Sequence, residues 1–115
     1  MNDPVLLSRS GPVATLTLNR PDALNVLDDA MVDALIPATA SVAADASIRV
    51  LVVRGAGRHF MAGGDIRIFA RESSRPADER QRTFQRLVER VHVAVETIAR
   101  MPQPVVARVH GAVAG

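Results

Sequence analysis

Residues 48–54 read Ile-Arg-Val-Leu-Val-Val-Arg, and Gly55-Ala56-Gly57 follows with nothing between. A β-branched run without strict apolar/polar alternation fits a strand covered on both faces, as in a parallel sheet. A strand that runs straight into a glycine turn is where α/β proteins place ligand loops. The pattern recurs: Val105 to Val109 is a second apolar run, and His110-Gly111-Ala112-Val113-Ala114-Gly115 a second loop of small residues. Parallel strands joined by right-handed crossovers present equivalent ends on one edge. Both loops are therefore expected side by side.

The intervening segments supply the crossovers. Val5 to Leu7 is apolar, Ser10-Gly11-Pro12 punctuates, and Val13 to Leu18 alternates, which predicts a β-hairpin. Asn19 to Asp22 ends it at Pro21. A helix is expected from about Asp28, capped by Asp28 or Asp29, with Met31, Leu35 and Val42 near one face. Pro37 should kink or break it, and residues 45–47 end it. Ile66 to Ala70 predicts a short helix, and Ser73 to Asp78 a mobile polar segment. A long helix follows from Pro76 to about Arg100. Its stripe of Phe84, Leu87, Val88, Val91, Val95 and Ile98 is expected in the core, with Asp78–Arg82 and Arg86–Glu89 pairing on the solvent side. The order is strand pair, helix, strand, loop, helix, strand, loop. It predicts a single α/β domain over residues 1–115 with a mostly parallel sheet.

Charge excludes less than it suggests. The sequence pI is 10.9 but the net charge only +2, because all 14 basic residues are Arg. Guanidinium groups keep their protons at accessible pH, so a small excess holds the pI high. The arginines are scattered and aromatics are 3% of the chain, so nucleic acid is not an expected partner. With no Cys, disulfides and thiolate chemistry are ruled out. No signal peptide or membrane-length apolar stretch is visible, so a cytoplasmic protein without membrane contact is expected.

Ala62, Gly63 and Gly64 leave backbone N–H groups accessible. A helix starting near Asp65 or Ile66 would add its own unpaired N–H groups and dipole. Such a turn can hold an anion or a developing oxyanion, and the loop at Gly111 to Gly115 can bring a further donor to the same point. The competing reading is that both are ordinary turns. His59, His92 and His110 lack metal-ligand spacing and read as loop or surface residues. Glu72 and Glu96 read as solvated charges rather than an acid/base pair. Ser73 and Ser74 read as loop or capping residues.

These segments together resemble the crotonase superfamily, the enoyl-CoA hydratase/isomerase family. The resemblance rests on Val13 to Pro21 with Ala23-Leu24-Asn25, on Arg49 to Phe60 with Met61-Ala62-Gly63-Gly64-Asp65-Ile66, and on Pro104 to Gly115. It implies a crotonase-like spiral of β-β-α units, of which this chain carries the N-terminal part. It implies an acyl-CoA substrate, an oxyanion-hole-stabilised thioester enolate and a place in fatty acid metabolism. By the same resemblance, Gly64 donates one oxyanion-hole N–H. Ala62, Gly63, Asp65, Ile66 and Arg67 line the CoA arm, Ala23, Leu24 and Asn25 lie near its adenine, and Gly111 belongs to the second loop. Arg67 or Arg20 would meet CoA phosphates. No cofactor or metal is expected beyond the coenzyme A of the substrate, and the usual assembly is a homo-oligomer, trimer or hexamer. The second donor would be the residue after Gly115, and the family's catalytic glutamates would come later still. The chain alone would then have one donor and no acid/base, which leaves a catalytically inactive fragment or a CoA-binding or oligomerisation remnant as the alternative. A generic nucleotide-binding domain is a weaker reading, because G-x-G-x-x-G and a P-loop Lys are absent.

Overall fold

The computed structural model describes residues 3–63 and 70–114. Strands β1 (Val5–Ser10) and β2 (Val13–Leu18) form the expected hairpin, antiparallel from Val5↔Leu18 to Ser10↔Val13. After a short 3-10 turn at Pro21–Ala23 comes helix α1 (Asp29–Ala44), then β3 (Val50–Gly55) and the short β4 (Met61–Ala62). Helix α2 (Ala77–Arg100) leads to β5 (Val105–Arg108) and the short β6 (Val113–Ala114). The main sheet has the order β1-β2-β3-β5, and β2, β3 and β5 are parallel. A second small sheet pairs β4 with β6, also in parallel. This is the α/β architecture and parallel sheet that the sequence predicts.

One face of the sheet makes the core. Ala14, Leu16 and Leu18 of β2 and Leu51 of β3 pack against Met31, Leu35 and Val42 of α1 and Ala94 of α2. Gln103 is buried and ties the two halves together. Its Nε2 donates to the Val42 carbonyl at 2.8 Å and the Asp45 carbonyl at 3.2 Å.

Helix α1 starts at Asp28, whose carboxylate accepts from the Met31 N–H at 2.9 Å. Pro37 does not break it, and the helix continues to Ala44. Proline inside a helix costs about 3 kcal/mol. Met31, Val32 and Val42 are each fully buried, and complete burial of such a side chain contributes roughly 1.5–3 kcal/mol. The apolar face outweighs the proline. Thr39, next on that face, donates its hydroxyl back to the Leu35 carbonyl at 2.9 Å.

Several expectations need correction. β3 is covered on one face, not two: Leu51 is fully buried, but Val50, Val52 and Val53 are half-buried. β5 is not buried, and Val106 is 53% exposed. The stripe on α2 is only partly core, since Val88 and Val95 are exposed and Ala94 is the buried residue. Val91, Val95 and Ile98 instead line one side of an apolar cavity of about 180 Å³, facing Leu16, Leu18 and Val53. Asp78 pairs with Arg82 at 3.6 Å as expected. Glu89, however, accepts from Gln85 at 3.1 Å, one turn back, and not from Arg86.

Candidate functional site: two interlocked loops at the sheet edge

β2, β3 and β5 end level, with Leu18 opposite Gly55 and Arg54 opposite Arg108. The segments that leave them therefore gather at one edge, as strand direction requires. The loops after β3 and β5 interlock there. The Phe60 N–H donates to the His110 carbonyl at 2.9 Å, and the Met61 N–H to the Ala112 carbonyl at 3.2 Å. Each loop also sends a histidine into the other. His59 Nδ1 accepts from the Ala112 N–H at 2.9 Å, so that nitrogen carries no proton. His110 Nε2 lies 2.8 Å from the Gly57 carbonyl, which can only accept, so that nitrogen is protonated. The expected placement of the histidines in loops or at the surface holds: His59 and His110 lie in these loops, and His92 is exposed on α2. Among the described residues no group of His, Cys, Asp and Glu could hold a metal ion.

Gly111 sits at the tightest point. Its φ is +60°, and a Cβ would fall 2.2 Å from the Arg58 carbonyl oxygen and 2.7 Å from His59 Nδ1. No other residue fits. Its place is the contact between loops.

The turn after β2 closes the third side. Asn25 is fully buried. Its Oδ1 accepts from the Arg20 N–H at 2.7 Å. Its Nδ2 is within 3.1–3.2 Å of the carbonyls of Ala56, His59 and Phe60. Leu24 and Asn25 both have left-handed backbones, with φ of 56° and 51°. That costs a leucine about 1–2 kcal/mol and asparagine less. The strained pair turns the Leu24 carbonyl toward β4, where it accepts from the Ala62 N–H at 3.0 Å. The Leu27 N–H then donates to the Gly63 carbonyl at 2.9 Å. Ala62-Gly63 is thus held between residues 24–27 on one side and β6 on the other.

Of the residues singled out in the sequence, Ala23, Leu24, Asn25, Ala62, Gly63 and Gly111 all lie in this assembly. Leu24 projects a side chain 46% exposed at its rim, whereas the Asn25 side chain is wholly internal. Gly64, Asp65, Ile66 and Arg67, and most of the short helix expected from Ile66, lie outside the described residues. Arg20 is engaged in an ion pair with Asp28.

Glu72 corrects the sequence reading. It is 1% exposed, not solvated. Arg75 reaches its carboxylate at 3.3 Å and Arg71 at 3.9 Å. The segment expected to be mobile begins as a hydrogen-bonded turn, in which the Ser73 and Ser74 hydroxyls donate to the carbonyls of Ala70 and Arg71. Glu96 is exposed on α2, as expected. The clamp role of Asn25 and the cross-loop roles of His59 and His110 were not visible in the sequence. The carbonyls that Asn25 clamps and the partners of the two histidines lie 31 to 53 residues away, beyond the reach of any local pattern.

Comparison with known proteins identifies the family. A family model described as enoyl-CoA hydratase/isomerase matches residues 13–115. The 1,2-epoxyphenylacetyl-CoA isomerase of Escherichia coli is 37% identical over 90% of this chain and 38% of its own length. The small ribosomal subunit protein mS47 of Schizosaccharomyces pombe is 32% identical over 99% of this chain and 26% of its own. The crystal structure of an enoyl-CoA hydratase from Mycobacterium smegmatis superposes with a TM-score of 0.83 at 38% identity, covering 96% of this chain and 41% of that one. The chain thus spans about two fifths or less of the length of these relatives. With family model, sequence relatives and fold in agreement, the chain belongs to the enoyl-CoA hydratase/isomerase family, of the crotonase superfamily.

Proposed function

We propose that this chain provides the thioester-binding edge of an enzyme that acts on an acyl-CoA through a stabilised enolate. The observation that carries the reading is the interlocking of the two glycine loops with the residue 24–27 turn, which fixes Ala62-Gly63 from both sides. On this reading the Gly64 N–H donates to the thioester oxygen as it gains charge. A fixed donor of that kind lowers the barrier by about 3–4 kcal/mol, because it meets charge that exists only in the transition state. Ala62 to Arg67 take the CoA arm, Ala23 to Asn25 lie near the adenine, and Gly111 holds the second loop in place. No cofactor is needed beyond the coenzyme A of the substrate. We read residues 1–115 as the N-terminal part of a crotonase-like domain, and the working protein as a cytoplasmic homo-oligomer, a trimer or hexamer.

Proton transfer needs a further group. Glu96 is exposed on α2 and Glu72 is engaged by Arg75, so neither is offered as the acid or base. A second reading, binding of acyl-CoA without turnover, is favoured by the engagement of the Glu72 carboxylate by Arg75.

The test is hydration of crotonyl-CoA, followed as loss of absorbance from the conjugated enoyl thioester. Activity that Gly64→Pro abolishes supports the enzyme reading. An unchanged rate in that variant removes Gly64 from the mechanism. Calorimetric binding without turnover supports the second reading, and neither binding nor turnover ends both.

A further inference from the structure

The face of the sheet opposite the core carries a feature that the acyl-CoA reading does not use. Side chains alternate across a strand, so Leu16, Leu18 and Val53 point inward and Thr17 and Arg54 outward. Register places Thr17, Arg54 and Arg108 in one row across β2, β3 and β5. The two arginines are direct cross-strand neighbours. Like charges in that relation destabilise a sheet.

Several other arginines are matched. Arg9 pairs with Asp45, Arg20 with Asp28, Arg82 with Asp78, and Arg90 with Asp29 and Asp33. Among the described residues, no carboxylate lies within ion-pair distance of Arg54 or Arg108. Arg54 is half-buried and Arg108 exposed. The nearest partner of Arg54 is the Thr17 hydroxyl, at 3.5 Å. Beside the pair is a hollow of about 250 Å³, lined by Arg54, Arg108, Val109 and His110.

We propose that Arg54 and Arg108 form a binding site for a doubly charged tetrahedral oxyanion, a phosphoryl group. Two guanidinium forks on adjacent strands offer donors to several oxygens at once, and the bound dianion removes the repulsion between them. Val109 and His110 wall the hollow on one side. The site does not depend on the enolate reading.

Sulfate is the first probe, because it remains a dianion across the working pH range. It is titrated at constant ionic strength while the arginine Nε–H resonances are followed by NMR. Saturable shifts are expected at Arg54 and Arg108, with affinity on the order of millimolar for so open a site. Arg54→Gln and Arg108→Gln should each weaken binding about tenfold, and the double variant should lose it. Arg108→Lys keeps the charge without the fork and should fall between. Arg86→Gln, an exposed arginine on α2, should change nothing. Since removing one of two opposed charges relieves the sheet, Arg108→Gln should melt no lower than the parent without sulfate, so weakened binding cannot be laid to unfolding. Competition then identifies the source of the phosphoryl group. Displacement by CoA well below the concentration needed for inorganic phosphate assigns it to the substrate's phosphates, and equal displacement assigns it to free phosphate. Shifts that fail to saturate, that persist in the double variant, or that weaken equally in Arg86→Gln overturn the proposal.

Discussion

Replacing Asn25 with alanine tests whether one side chain holds the sheet edge together. The amide accepts one hydrogen bond from the Arg20 N–H, and its two protons are shared among three carbonyls. That amounts to three full bonds, all made by a residue with no exposed surface. At about 1 kcal/mol each, their loss costs about 3 kcal/mol. Alanine at a φ of 51° adds up to about 1 kcal/mol relative to asparagine. The total, about 4 kcal/mol, is a large part of the 5–15 kcal/mol typical of a whole domain. It corresponds to a fall in melting temperature of about 15 °C for a chain of this size. Urea unfolding followed by circular dichroism should show a lower midpoint at unchanged slope. Asn25→Gly separates the two contributions, because glycine accepts the left-handed backbone and loses only the hydrogen bonds. Asn25→Asp should be worse than alanine, since an oxygen without a proton would face the carbonyls of Ala56, His59 and Phe60. A loss under about 1 kcal/mol in Asn25→Ala, or an Asn25→Asp variant as stable as the parent, would refute the clamp.

Two further outcomes follow from the helix and the hairpin. Pro37 is exposed within α1, and alanine there restores a donor to the Asp33 carbonyl. Pro37→Ala should raise stability by about 1–2 kcal/mol in the same urea assay, and a lower midpoint would contradict the account of the helix. Asp45 is held below the ordinary aspartate pKa chiefly by hydrogen bonds from Ser47, with Arg9 adding to the effect. A depressed folded-state pKa means stability that is present above the unfolded value, about 3.9, and is lost as pH falls through the folded one. The stability gap between the parent and Asp45→Asn should therefore be open at pH 6 and narrow as pH falls below that unfolded value, and a gap independent of pH would count against it.

The sequence was legible where local pattern and local structure coincide. The hairpin, the Asp28 cap, the run of α2 from Pro76 to Arg100 and the two strand–glycine units all follow from spacing and turn chemistry. The position of both glycine loops at one edge followed from strand direction alone. Legibility failed where burial depends on what lies opposite. Val88, Val95 and Val106 have apolar side chains in regular patterns, yet they stand exposed, because periodicity says which residues can be covered and not whether a cover is there. Glu72 failed the other way: its polar neighbours suggest solvent, while the turn around it folds the carboxylate inward. The clamp at Asn25 has no local signature beyond a residue type that tolerates a left-handed backbone.

The cross-loop bonds also set an order of events. His110 meets Gly57, and Ala112 meets His59, across 53 residues of chain. Neither bond can close until α2 has crossed the sheet and β5 has found β3. The hairpin, by contrast, joins neighbours in sequence. Because loop-closure entropy must be met before distant contacts give anything back, the edge where substrate would sit is expected to be the last part of this chain to acquire its native form, and the first to lose it when the sheet loosens.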